Sequence, residues 1–328
     1  MRKRWFGFAT GCWLLSAVLG CASAQQKLGF REQSVPVLPE ATADYYDYPS
    51  HTHQAIVVLL QKRSAYSEYL VRFPLSVPAG LEPTEPVVEI EWFETNLPGK
   101  QPAILFNPIL GGDYPIERAL CRSLAERGFH VALIHRKTLK VSPEHDIAQL
   151  EVLLRQGVIR IRQAVDWMAA QPNVDSSRMG SFGISMGGIA GCLSAAVEPR
   201  LRAHVIALAG GSVSDILLES HDKLLTKPLA LYLSRNKLDK ETVKQRLHET
   251  VKTDPLLLAA YVDPKKVLLF VALFDRTIGR DHAMQLRKAL GYPQTVFLPM
   301  GHYTAYLALP FLQYTSIRFL KKHLAANP

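Results

Sequence analysis

Cysteine is scarce in this chain of 328 residues: there are four, and Cys12 and Cys21 fall within the first two dozen positions. The other two, Cys121 and Cys192, lie on predicted helices among apolar residues, which points to two separate buried thiols rather than a disulfide-stapled scaffold. Charge is also thin, at 20% of residues against 48% hydrophobic. That balance excludes a disordered polyelectrolyte and leaves an ordinary globular chain, long enough to bury a sizeable core. There is no internal repeat and no low-complexity tract. The net charge of +9 comes without any interleaving of basic and aromatic residues, so nucleic acid is not an expected partner. Closely spaced metal ligands reduce to His51-x-His53, which without further ligands nearby reads as a solvated pair; no metal is expected.

The N-terminus is built differently from the rest. Arg2, Lys3 and Arg4 precede an apolar stretch, Trp5 to Leu19, of about fifteen residues. This is short for a membrane span and suits the core of a signal peptide covering residues 1–24. Two cleavage sites compete. Ala22-Ser-Ala24 is an A-x-A site that would free a soluble protein from Gln25, whereas Val18-Leu-Gly-Cys21 resembles a bacterial lipobox, in which Cys21 is lipidated. The lipobox is the preferred reading, and both imply export from a bacterial cytoplasm, the first to the periplasm or medium and the second to a membrane anchor. Loss of the three basic residues takes the net charge from +9 to +6. Residues 25–53, with Pro36, Pro39 and Pro49 and no period, read as a linker or arm.

From residue 54 the chain reads as one domain. Apolar runs at Ala55–Gln61, Tyr69–Val77 and Val87–Thr95, separated by turn signals, predict an antiparallel start to a sheet. Strands then alternate with helices: strands at 103–106, 130–135, 179–184, 204–209, 267–274 and 295–298, with helices at about 115–127, 146–171, 281–290 and 303–323. Such alternation predicts a doubly wound, mostly parallel sheet. More than fifty residues between the strands ending near Ala209 and beginning near Val267 form a predicted helical insertion, 211–262, placed as a cap over the carboxyl edge of the sheet where ligands bind.

The chemistry centres on Gly183-x-Ser185-x-Gly187, between a predicted strand and a small-residue helix. A serine on such a turn projects its hydroxyl out of the backbone, with glycines where Cβ atoms would collide. Alone the pattern is weak; it needs a base and an orienting acid, in the order serine, acid, histidine. Asp275 directly follows the apolar strand Val267–Phe274, and Asp215, after the preceding strand, is its competitor. His302 follows the strand ending near Met300 and is the histidine, of eleven, that fits the order. His130, His135 and His204 fall in or beside strands and read as structural. The oxyanion hole requires two N–H groups: Met186 supplies one, and Ile109 or Leu110, in Asn107-Pro-Ile-Leu-Gly-Gly112, the other.

On these motifs, together with Phe274-Asp-Arg-Thr-Ile278 and Gly301-His-Tyr303, the chain from Val87 to His323 resembles the α/β-hydrolase superfamily, and looks most like its dienelactone-hydrolase and esterase/peptidase-type members. The resemblance implies Ser185 as nucleophile, Asp275 as acid and His302 as base. The implied activity is that of a serine hydrolase cleaving a small-molecule ester or related acyl bond without a cofactor. The family's oxyanion loop commonly begins His-Gly, for which Asn107-Pro108 stands here. Two alternatives remain: a prolyl-oligopeptidase-like peptidase, which the short stretch before the first hydrolase-like strands disfavours, and a non-catalytic envelope lipoprotein, which the ordered Ser, Asp and His disfavour.

Overall fold

The computed structural model describes residues 34–49, 54–111, 113–136 and 147–326. The basic leader, both cleavage sites, Cys21, His51 and His53 lie outside the described residues. Nine strands form one sheet in the order β1-β2-β3-β5-β4-β6-β7-β8-β9. Strands β1 (Ile56–Lys62), β2 (Tyr66–Pro74) and β3 (Val87–Thr95) are antiparallel, and β3 also pairs antiparallel with β5 (His130–Ile134). From β5 onward the ladder is parallel, through β4 (Gln101–Asn107), β6 (Val174–Ile184), β7 (Leu201–Ala207), β8 (Val267–Ala272) and β9 (Gln294–Leu298). The predicted fold class, an α/β-hydrolase sheet with an antiparallel start, is the one observed.

Strand β8 is buried along its whole length and β4 from Pro102 onward, as expected of strands covered on both faces. Period two divides their side chains. Ile104, Phe106, Leu268 and Phe270 pack with helix Pro115–Ala125 and the C-terminal helix Leu309–His323. On the other face Leu105 packs with helix Gln149–Ala169, and Leu269 with helix Met186–Val197. The two cysteines fall in separate core clusters, Cys121 in the first and Cys192 in the second, both buried and free. Burial pushes both thiols up, Cys192 to about 12, so neither is a ready thiolate.

Residues 34–49, part of the expected linker, do not hang free. A short helix, Glu40–Tyr45, leads into aromatic anchors on the domain. The Tyr45 hydroxyl donates to Glu151 (2.8 Å), Tyr48 to Asp166 (2.6 Å), and the buried Tyr46 to Thr253 (3.1 Å). Arg155 and Arg162 return bonds to the carbonyls of Tyr45 and Tyr46. The arm therefore joins helix Gln149–Ala169 to the end of the helical insertion.

The insertion between β7 and β8 carries helices Val213–Glu219, Lys223–Asn236, Lys240–Thr250 and Pro255–Leu258. Asp254 accepts from the N–H groups of Ser212 and Val213, closing its base. The first of the helices, Val213–Glu219, follows the carboxyl end of β7. Among the described residues no helix is long and apolar enough to cross a membrane.

Candidate active site

Ser185 terminates β6 and opens helix Met186–Val197, with φ 57° and ψ −122°, a region an L-residue adopts only under constraint. Its N–H donates to the Ala207 carbonyl on β7 (2.8 Å), and its carbonyl accepts from Ile189 (3.0 Å). A Cβ at Gly183 would strike the Gly187 carbonyl, and one at Gly187 would strike the Asn107 carbonyl at the end of β4. Both glycines are thus required by close approach. Gly188, to which sequence reasoning assigned no role, is also confined, though less tightly: its Cβ would lie 2.8 Å from the Ala207 carbonyl oxygen.

The structure brings Ser185, His302 and Asp275 together. Ser185 Oγ lies 3.0 Å from His302 Nε2, and His302 Nδ1 lies 2.7 Å from Asp275 Oδ2. The other carboxyl oxygen, Oδ1, accepts from the N–H groups of Thr277 (2.8 Å) and Ile278 (2.9 Å). An ionised carboxylate only accepts, so Oδ2 calls for a proton on Nδ1 and leaves the Nε2 lone pair facing the serine hydroxyl. The two loops are tied to one another, Phe274 N–H donating to the Met300 carbonyl (3.0 Å). His302 and Asp275 are nearly sealed, with side chains 8% and 3% exposed. Water therefore competes little for their bond.

Asp215 is placed elsewhere. Its carboxylate meets Lys244 (3.1 Å), His248 (3.1 Å) and the Ser212 hydroxyl (2.5 Å) within the insertion. Partial burial raises its pKa, but these three partners outweigh that and hold it below the ordinary range. His130, His135 and His204 bond to Asn173, to Glu89 and Glu91, and to Ser181 respectively, all away from Ser185.

The loop after β4 departs from expectation in one respect. Ile109 N–H, one of the two candidate oxyanion donors, is taken by the Glu117 carboxylate (3.0 Å). Leu110 N–H has no partner among the described residues, and Met186 N–H is among the first donors of its helix, which lack intrahelical acceptors. Arg136 braces the loop from behind, donating to the carbonyls of Pro108 (3.0 Å) and Ile109 (2.8 Å), and is itself held by Tyr114, whose hydroxyl donates to the Arg136 carbonyl (2.6 Å). Sequence reasoning missed all three supports. Glu117 reads as an ordinary acidic residue in a helix's first turn, and its reach to the loop is a tertiary fact. Asn107, in the place of the family's histidine, is buried, and its side-chain amide has no hydrogen-bond partner among the described residues.

Ser185 and His302 open onto a cavity of about 240 Å³. The helical insertion forms one wall through Val213, Leu217, Leu224 and Leu225, and the C-terminal segment forms another. At the mouth the Tyr303 hydroxyl donates to Asp222, linking the insertion to the residue beside His302. Partial burial and that bond push the Tyr303 phenol up to about 12. Among the described residues no cluster of His, Cys, Asp and Glu is arranged to hold a metal ion.

Residues 153–300 match the prolyl oligopeptidase family (Peptidase_S9). No curated protein matches the chain. Among solved structures, acetyl xylan esterase 1 from Thermoanaerobacterium sp. JW/SL YS485 superposes with a TM-score of 0.60 at 19% identity, over 86% of this chain and 95% of its own. The acetyl xylan esterase from Paenibacillus sp. R4 gives 0.63 at 17% identity, over 88% and 100%. A 2,6-dihydroxy-pseudo-oxynicotine hydrolase gives 0.54 at 15% identity, over 75% and 67%. At these identities the likeness is one of architecture, and the chain has the α/β-hydrolase fold.

Proposed function

We propose that this protein is a serine hydrolase that cleaves carboxylic esters of small molecules through an acyl-enzyme. The observation that carries the reading is the unbroken relay from Ser185 Oγ through both nitrogens of His302 to Asp275, opening onto a cavity. In this reading His302 Nε2 takes the serine proton as Oγ attacks the ester carbonyl. The carbonyl oxygen becomes an oxyanion facing the N–H groups of Met186 and Leu110, the former at the positive end of a helix. Each such donor is worth about 3 kcal/mol in the transition state. His302 then gives the proton to the departing alcohol, and water repeats the sequence on the acyl-enzyme. Asp275 holds the tautomer throughout and supports the imidazolium. No step calls on a metal or organic cofactor.

The acetylated polysaccharide in the names of the two esterases is not carried over, because the likeness to them is one of fold. The match to the prolyl oligopeptidase family favours a second reading, a peptidase using the same three residues. The helical insertion serves in either case as a cap. Export belongs to the proposal as well: the leader and the Val18-Leu-Gly-Cys21 motif support a lipidated, membrane-anchored protein, or a periplasmic or secreted one if the A-x-A site is used.

The test is labelling by a fluorophosphonate probe. The wild-type protein should label and Ser185→Ala should not, while circular dichroism shows both folded. Labelling that survives in Ser185→Ala would overturn the assignment. A p-nitrophenyl ester and a Xaa-Pro p-nitroanilide assayed side by side separate esterase from peptidase.

A further inference from the structure

Resting on the serine-hydrolase reading, the walls of the cavity carry an inference about what occupies it. Apart from Ser185 and His302, the polar residues that line it are Asp222, Thr277, Tyr303 and Tyr306, and the rest are aliphatic or methionine. Among the described residues, no arginine or lysine faces it. Asp222 and Tyr303 are bonded to one another at the mouth, away from the aliphatic interior. A sugar ring brings several hydroxyls that would lose water here without finding partners, and a carboxylate or phosphate would find no cation. The cost of either is the cost of burying an unpaired polar group. An apolar group incurs no such penalty and gains from leaving water.

Size agrees with chemistry. A cavity of about 150 Å³ lined by aliphatic side chains stays dry and admits benzene, and this one measures about 240 Å³. It has room for considerably more than an acetyl group. The apolar character also continues outward. Leu224 on the insertion is 63% exposed, and Phe274 and Tyr303, flanking Asp275 and His302, are 68% and 66% exposed. These side chains give a chain or ring an apolar path from the surface to Ser185.

We infer that the substrates are esters whose acyl part is a medium-length aliphatic or an aromatic group, and that Leu217 and Leu225, both half-buried on the insertion, set this preference. Each methylene placed in the cavity should stabilise the transition state by the transfer free energy of a buried CH₂, which corresponds to roughly a two- to fourfold rise in kcat/KM per carbon.

The experiment is kcat/KM on p-nitrophenyl acetate, butyrate, hexanoate and octanoate, with fluorophosphonate labelling of the same preparation. The expected result is a rise across the series, reaching at least tenfold between acetate and hexanoate. Leu225→Asp and Leu217→Asp, each checked for folding by circular dichroism, should each lower the octanoate-to-acetate ratio by tenfold or more. A protein that labels at Ser185 yet prefers acetate, or whose ratio is indifferent to both substitutions, overturns the apolar-acyl inference and leaves the serine hydrolase standing. Absence of both labelling and turnover overturns the underlying reading, and the inference with it.

Discussion

Ser185 keeps a backbone conformation that costs of order 1–3 kcal/mol for a residue with a side chain. Two ties hold it there, its N–H on Ala207 and its carbonyl on Ile189. The strain aims Oγ at His302 and not into the helix. At the same scale the acid assignment divides two aspartates that look alike in sequence. Asp275 directs Oδ2 to His302 while two amides fix Oδ1; Asp215 spends its oxygens on Lys244, His248 and Ser212. Asp275→Asn should therefore lower kcat by about 10⁴, by presenting the histidine with a donor where an acceptor is needed. Asp215→Asn should leave kcat at the wild-type level. Steady-state turnover of a single p-nitrophenyl ester compares them, and the reverse result would move the acid to the insertion.

Among the elements, the arm and the loop after β4 mark where the sequence stops being legible. Continuous apolar runs disclose β4 and β8, because strands buried on both faces need no polar alternation, and Asp275 lies three residues past the second of them, as Ser185 directly follows β6 and His302 lies just past β9. That these three side chains meet was to be expected from their order along the chain. Occupation of the Ile109 amide was not: it depends on a side chain eight residues away folding back onto the loop. Nor was the docking of the arm. Tyr45, Tyr46 and Tyr48 show no period, and their partners lie 106, 207 and 118 residues distant in the chain. The arm's role can be measured. Tyr46→Ala, which empties a fully buried aromatic site, should cost about 3–5 kcal/mol of unfolding free energy. Tyr46→Phe, which removes one hydrogen bond, should cost about 1 kcal/mol. Urea unfolding of the full chain distinguishes them, and equal, small effects would mean that the arm is not part of the cooperative unit.

Over the whole molecule, one buried group sets part of the response of stability to pH. His204 on β7 is enclosed in the sheet; burial, reinforced by Lys266, pushes its pKa down from 6.5 to about 3. The unfolded chain thus takes up a proton near pH 6.5 that the folded chain refuses until near pH 3. Stability contributed by the neutral imidazole is complete above pH 6.5 and is lost as pH falls, at up to about 1.4 kcal/mol per unit. Between pH 6.5 and 4.5 the loss from this residue should reach about 2–3 kcal/mol. His204→Asn, though less stable at neutral pH, should show a correspondingly shallower acid dependence of its urea midpoint. An unchanged slope would assign the acid sensitivity to other groups.

The bond from Tyr46 to Thr253 has a consequence in time. A ribosome adding about 5–20 residues per second needs on the order of ten to forty seconds to cover the 207 residues between them. Throughout that interval the arm has no completed seat. The clasp closes only when the insertion has been made, so the arm is synthesised well before it can be secured.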